Sequence, residues 1–191
     1  LWVWDEGTGM SLRDVTYAPG LYKIFDEVLV NAADNAQRCP NQTAIKVEIN
    51  PEQQYVSVWN DGSGIPVRIH EKEKVYIPEM IFGILLTGTN FNDKERKVTG
   101  GRNGFGAKLC NIYSNKFIVE TLDLERRKKF KQVFTSNMGA TGKPSITTAP
   151  ASAKAEYVKV TFYPDLKRFD MTSLDDDIVA IFSKRVYDVA G

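Results

Sequence analysis

Apolar residues recur at every third or fourth position between about Leu21 and Arg38. Phe25, Val28, Leu29, Ala32 and Ala36 mark one buried helical face, and Pro40 ends the pattern. The period then drops to two. Ile45, Val47 and Ile49 alternate with polar residues, Asn50-Pro51-Glu52-Gln53 reads as a turn, and Tyr55 to Trp59 returns, which predicts a hairpin. Asn60-Asp61-Gly62-Ser63-Gly64-Ile65-Pro66 reads as irregular. Pro78 suits the first turn of a short helix reaching Leu86, and residues 87–101 read as a long polar connection of the kind that serves as a lid or binding loop. Another helix is predicted from Gly106 to Tyr113. Strands are predicted at 117–122 and 130–135 across a charged turn, and at 157–163, where Val158, Val160 and Phe162 share a face. Residues 1–20 read as an edge strand with a loop, and 137–156 as a surface excursion. Ser173 is the expected cap of a last helix, with Asp175, Asp176 and Asp177 in its first turn and Ile178, Ile181, Phe182, Arg185, Val186 and Val189 inward.

At 191 residues and 42% hydrophobic, the chain has the makings of one packed domain and is neither disordered nor of low complexity. Twenty-five Lys plus Arg against 24 Asp plus Glu leave a net charge of +1, which excludes a surface that is basic throughout and leaves room only for a local patch. His70, Cys39 and Cys110 are too few and too scattered for a zinc site. Two unpaired cysteines fit a reducing, intracellular compartment. His70 lies in the charged run Arg68 to Lys74 and is expected to be solvated rather than part of a catalytic triad. The most apolar stretch, Met80 to Leu86, is far shorter than the ~20 residues of a bilayer span. The absence of an initiator Met reads as a segment of a longer protein.

Three clusters carry candidate chemistry. On the first helix Glu27, Asn31, Asp34 and Asn35 form one polar stripe. A solvated face is the ordinary explanation of such a stripe, but that face is usually built from strong helix formers. Asn and Asp each cost up to about 0.7 kcal/mol against Ala, so their concentration here points to function. In Asn60-Asp61-Gly62-Ser63-Gly64, the glycines let a ligand ring approach bare backbone, and a polar side chain at the strand end can accept from an amine. Thr99-Gly100-Gly101-Arg102-Asn103-Gly104-Phe105-Gly106-Ala107-Lys108 is glycine-rich and opens a helix, an arrangement that aims free N–H groups at an anion. Its spelling matches neither a Walker loop nor a dinucleotide fingerprint. The basic run Arg126 to Lys131 adjoins Asp123 and Glu125 at a probable turn and reads as a solvated face.

Together these clusters resemble the ATP-binding Bergerat superfamily of gyrases, heat-shock chaperones, mismatch-repair ATPases and sensor histidine kinases. Pro19 to Glu27, Asn31 to Asn35 and Thr99 to Asn111 are most similar to the N-terminal ATPase region of eukaryotic DNA topoisomerase II. The resemblance implies an α+β, Bergerat-type two-layer sandwich, a mixed β-sheet covered on one face by helices, spanning residues 1–191 as one ATP-binding domain. It implies ATP and Mg²⁺ as ligands, with Glu27 as general base and Asn31 holding Mg²⁺ through its amide oxygen. Asp34 and Asn35 would line the nucleotide side of the helix. Asn60 would face the adenine, bordered by Gly64 and Ile65. Thr87, Gly88, Thr89 and Asn90 would meet ribose and phosphate, and Gly101, Arg102, Asn103, Gly104, Phe105, Gly106, Ala107 and Lys108 would wrap the phosphates. Gly88 and Phe105 depart from the family's more usual Ser and Tyr.

By the same resemblance the full-length protein would be a nuclear homodimer whose other domains bind DNA, with no membrane contact. The family's N-terminal strap and its transducer-domain lysine are missing from these residues, so slow hydrolysis by the chain alone is expected. A chaperone-type or mismatch-repair ATPase is the alternative within the superfamily, and a non-catalytic interaction module the alternative outside it. A histidine kinase is disfavoured because His70 lacks a helical, dimer-forming setting.

Overall fold

The computed structural model describes residues 1–85 and 105–190. The connection read over 87–101 therefore lies outside the described residues, as do Thr87, Gly88, Thr89, Asn90, Gly101, Arg102, Asn103 and Gly104.

The chain begins with a hairpin, β1 (Trp2–Asp5) and β2 (Gly9–Leu12), where a single edge strand was expected. Helix α1 follows (Pro19–Arg38); Pro19 occupies the first turn, where the missing N–H costs nothing. Of the helical face read from the sequence, Phe25, Val28, Leu29 and Ala32 are buried, joined by Leu21 and Ile24, while Ala36 is exposed because the last turn runs past the sheet. Strands β3 (Ile45–Asn50) and β4 (Tyr55–Gly62) form the expected hairpin. Asn60, Asp61 and Gly62 extend β4 rather than leaving it, because a neighbouring strand runs beside all three. Asn60 is opposite Ile45 on β3 and opposite Val158 on β9 (Glu156–Pro164).

Between β4 and β9 come α2 (Ile77–Gly83), α3 (Gly106–Ile112), β5 (Ser114–Asp123) and β6 (Lys128–Thr135). The excursion at 137–156 holds two short strands, β7 (Ala140–Thr141) and β8 (Ser145–Thr148), both paired with β6. The sheet order is β3-β4-β9-β5-β6-β7, with β8 also on β6. Every pairing among the described strands is antiparallel, so the sheet is less varied in strand direction than the mixed sheet expected.

Helices α1, α2 and α3 cover one face of this sheet, giving the expected two-layer α+β sandwich. The core joins Phe25, Val28 and Leu29 of α1 to Val56, Val58, Phe117, Val119, Val160 and Phe162 of the strands. Helix α4 (Asp176–Ala190) packs against α1, with the Phe25 and Phe182 rings stacked at 4.1 Å between centroids and Arg185 Nε 2.7 Å from Asp26 Oδ1. Its cap is Asp175, whose Oδ1 accepts the Ile178 N–H at 2.9 Å; the expected cap, Ser173, lies too far ahead of the first turn. The β1–β2 hairpin rests on α4. Val3 is fully buried with Ala180 and Ile181, Trp4 lies 4.1 Å from Tyr187, and Arg13 binds both Asp5 and Asp177.

His70 corrects another expectation. It is buried, because the chain folds back so that the His70 N–H reaches Val75 O, while its Nδ1 accepts the Glu73 N–H at 3.2 Å. Arg68, Glu71, Lys72, Glu73 and Lys74 stay exposed around it. Cys39 and Cys110 are both buried and unpaired.

Candidate functional site

Helical periodicity carries Glu27, Asn31, Asp34 and Asn35 along one side of α1, and α3 packs beside them. Glu27 Oε1 sits 2.7 Å from Lys23 Nζ, one turn back, and this contact raises the lysine's pKa. The other oxygen lies over the first residue of α3: a methyl group on Gly106 would come 2.0 Å from Glu27 Oε2. Only glycine admits this approach, so the close packing of α3 and the setting of the carboxylate are one feature. Asn31 is exposed a turn further on, able to offer an amide oxygen to a hard cation, and Asp34 is half-buried.

Lys108 projects from α3 into the protein and is only 5% exposed. Among the described residues no carboxylate pairs with it, and its Nζ lies 6.0 Å from the centroid of the exposed Phe105 ring. Burial pushes its pKa down, since desolvation disfavours the ammonium. A cation held this way gains most from an arriving anion. Ala107 belongs to the core, so only its main chain faces the site.

Asn60 is buried at the end of β4, on the sheet face that carries the helices. The segment after it is pinned by three side chains. Glu156 accepts the Gly64 N–H at 2.8 Å, Thr121 Oγ1 the Ile65 N–H at 2.9 Å, and Asp123 the Val67 N–H at 2.8 Å. Gly64 is held so close that a Cβ would lie 2.1 Å from Leu122 O. For Asp123, burial opposes ionisation, but the Val67 and Arg126 N–H groups and the Arg126 guanidinium outweigh it and hold its pKa below the usual range.

Of the residues singled out from sequence, the structure brings Glu27 against Gly106, places Lys108 on the helix that Gly106 opens, and sets Asn31, Asp34 and Asn35 along the helix of Glu27. The basic run at 126–131 does lie at a hairpin turn, where Arg126 bridges Asp123 and Glu125. Thr121, Asp123, Glu156 and Gln42 were missed. Thr121 and Asp123 carry a signal, because they continue the inward alternation of Phe117 and Val119 with polar groups.

The family model for histidine kinase-, DNA gyrase B-, and HSP90-like ATPases matches residues 16–168. DNA topoisomerase 2-alpha of Gallus gallus is 58% identical over 191 residues, covering 100% of this chain and 12% of that protein. The chain thus spans about an eighth of the length of the curated relatives it matches. The solved ATPase region of Saccharomyces cerevisiae topoisomerase II superposes with a TM-score of 0.90 at 53% identity, covering 100% of this chain and 50% of that one. The 43K ATPase domain of Thermus thermophilus gyrase B, in complex with an aminocoumarin, superposes at 0.64 with 25% identity over 83% of this chain and 37% of that one. Glutamate-bearing helix, glycine-fronted lysine helix and covered sheet therefore coincide with a family match over most of the chain, which belongs to the histidine kinase-, DNA gyrase B- and HSP90-like ATPases.

Proposed function

We propose that this chain is the ATP-binding and ATP-hydrolysing part of a nuclear type II DNA topoisomerase. In that protein, Mg-ATP binding would close a homodimer and drive one DNA duplex through a transient break in another, held by other domains. The observation that carries the reading is Lys108, a buried cation with no carboxylate partner among the described residues, on the helix whose first residue touches Glu27.

In this reading the adenine amine donates to Asn60, and Lys108 neutralises phosphate charge. Among the described residues no three His, Cys, Asp or Glu side chains converge as a metal cage. Asn31 supplies a single exposed amide oxygen, which suits a magnesium ion shared with phosphates and water. Magnesium, when bound, draws charge from the phosphate oxygens. Glu27 takes a proton from the attacking water as its oxygen bonds to the γ-phosphorus and the bridging bond breaks, releasing ADP and phosphate. Isothermal titration with a non-hydrolysable ATP analogue, with and without magnesium, tests the reading. Binding strengthened by magnesium is expected; no heat in either condition leaves an interaction module that keeps only the fold.

A further inference from the structure

Asn60 poses a chemical problem that a carboxylate in its place would not. A carboxylate accepts on both oxygens, whereas an amide presents an acceptor on one side and a donor on the other. Which purine it favours depends on which way it faces, because adenine carries an amine donor at C6 and hypoxanthine a carbonyl acceptor.

The structure fixes that orientation through the Asp61 carbonyl together with Gln42. The Asp61 carboxylate accepts the Thr43 and Ala44 N–H groups at 2.8 and 2.9 Å and also binds the Thr43 hydroxyl, which draws the 42–44 segment against the end of β4. Gln42 Nε2 donates to Ala32 O on α1 at 2.9 Å. A main-chain carbonyl can only accept, so Gln42 must turn its Oε1 the other way. That oxygen receives the Asn35 Nδ2 at 2.7 Å and the Asn60 Nδ2 at 3.4 Å. A second carbonyl, Asp61 O, takes the Asn60 Nδ2 at 2.9 Å. Both acceptors lie on the nitrogen side of Asn60, and among the described residues nothing donates to its Oδ1.

We infer that Gln42 is a positioning residue for base selectivity: as the side-chain acceptor that, beside Asp61 O, holds the Asn60 amide nitrogen, it helps leave Oδ1 as the acceptor and strengthens the site's preference for a 6-amino over a 6-oxo purine. The inference rests on the nucleotide reading above. It is specific to an Asn at position 60, where orientation carries the information.

The test is the ratio of dissociation constants for non-hydrolysable ATP and ITP analogues, measured by titration on the whole chain. In Gln42→Leu the preference for ATP is expected to fall about fivefold, the worth of one net hydrogen bond. Gln42→Glu keeps an acceptor for both asparagines but loses the donor to Ala32 O, so it is expected to weaken both nucleotides while keeping the ratio. In Gln42→Leu/Asn60→Asp a carboxylate accepts either way round, so the preference returns. Gln42→Ala carries the same expectation as leucine should the larger side chain unfold the loop. An unchanged ratio in Gln42→Leu overturns the inference, and so does an equal weakening of both nucleotides, which marks Gln42 as merely structural. Failure of the unmodified chain to bind either nucleotide refutes the nucleotide reading instead.

Discussion

Glu27 is gripped from two sides, by the Lys23 ammonium on one oxygen and the bare α-carbon of Gly106 against the other. Glu27→Gln preserves the size and the amide-like contact but cannot take a proton. It is expected to bind the ATP analogue about as well as the parent while hydrolysis falls at least about a hundredfold, read by phosphate release. Gly106→Ala is expected to lose hydrolysis as well, because a methyl cannot share space with the carboxylate; circular dichroism separates this from unfolding. Lys108 sets a pH dependence. Its free-state pKa is lowered by burial and a bound phosphate favours the ammonium, so affinity is level below the free-state value and weakens as pH rises past it. Titrations from pH 7 to 10 on the parent and Lys108→Met check this, the variant being weaker and flat. As candidates, Asn31 and Asp34 stood out in the sequence because short polar residues are unusual on a helix face, and Lys108 because it follows a run of glycines, whereas a role for Glu27 came only with the family resemblance. Gln42, Thr121 and Glu156 were not, because their partners are remote: Gly64 and Glu156 are 92 residues apart, and nothing local marks such a pair.

For elements, the same contrast separates what periodicity decides from what neighbours decide. Helix α1 and the β3–β4 hairpin follow their hydrophobic spacing, and the sequence locates them closely. The reach of β4 through Gly62 depends on β9 standing beside it, which outweighs the turn propensity of Asn-Asp-Gly. The start of α4 depends on which of several capping residues meets the right N–H. Asp175→Ala is expected to cost about 1 kcal/mol of stability in urea unfolding, and Ser173→Ala far less. Asp123 ties the 63–67 segment to β5. With its folded pKa depressed, it contributes stability above its unfolded pKa, and that contribution disappears as pH falls through the folded value. Asp123→Asn is therefore expected to flatten the acid limb of the stability profile, measured by unfolding midpoints between pH 3 and 7.

Across the whole molecule, contacts run in series from the N-terminal hairpin to the site. Arg13 fastens the hairpin to α4, Asp26 and Phe25 fasten α4 to α1, and α1 carries Glu27. Arg13→Ala is expected to speed amide exchange over residues 1–15 and leave β4 and β9 protected, as hydrogen–deuterium exchange would report. Net charge and the paucity of histidine and cysteine narrowed the chemistry at this scale, but the mooring of the hairpin on α4 had no local signal.

Asp26 and Glu27 are neighbours on α1, about 100° apart around its axis. One clasps Arg185; the other faces Gly106. A roll of α1 that moved Glu27 off Gly106 would therefore also strain the clasp on Arg185, since the two carboxylates share one rigid shaft.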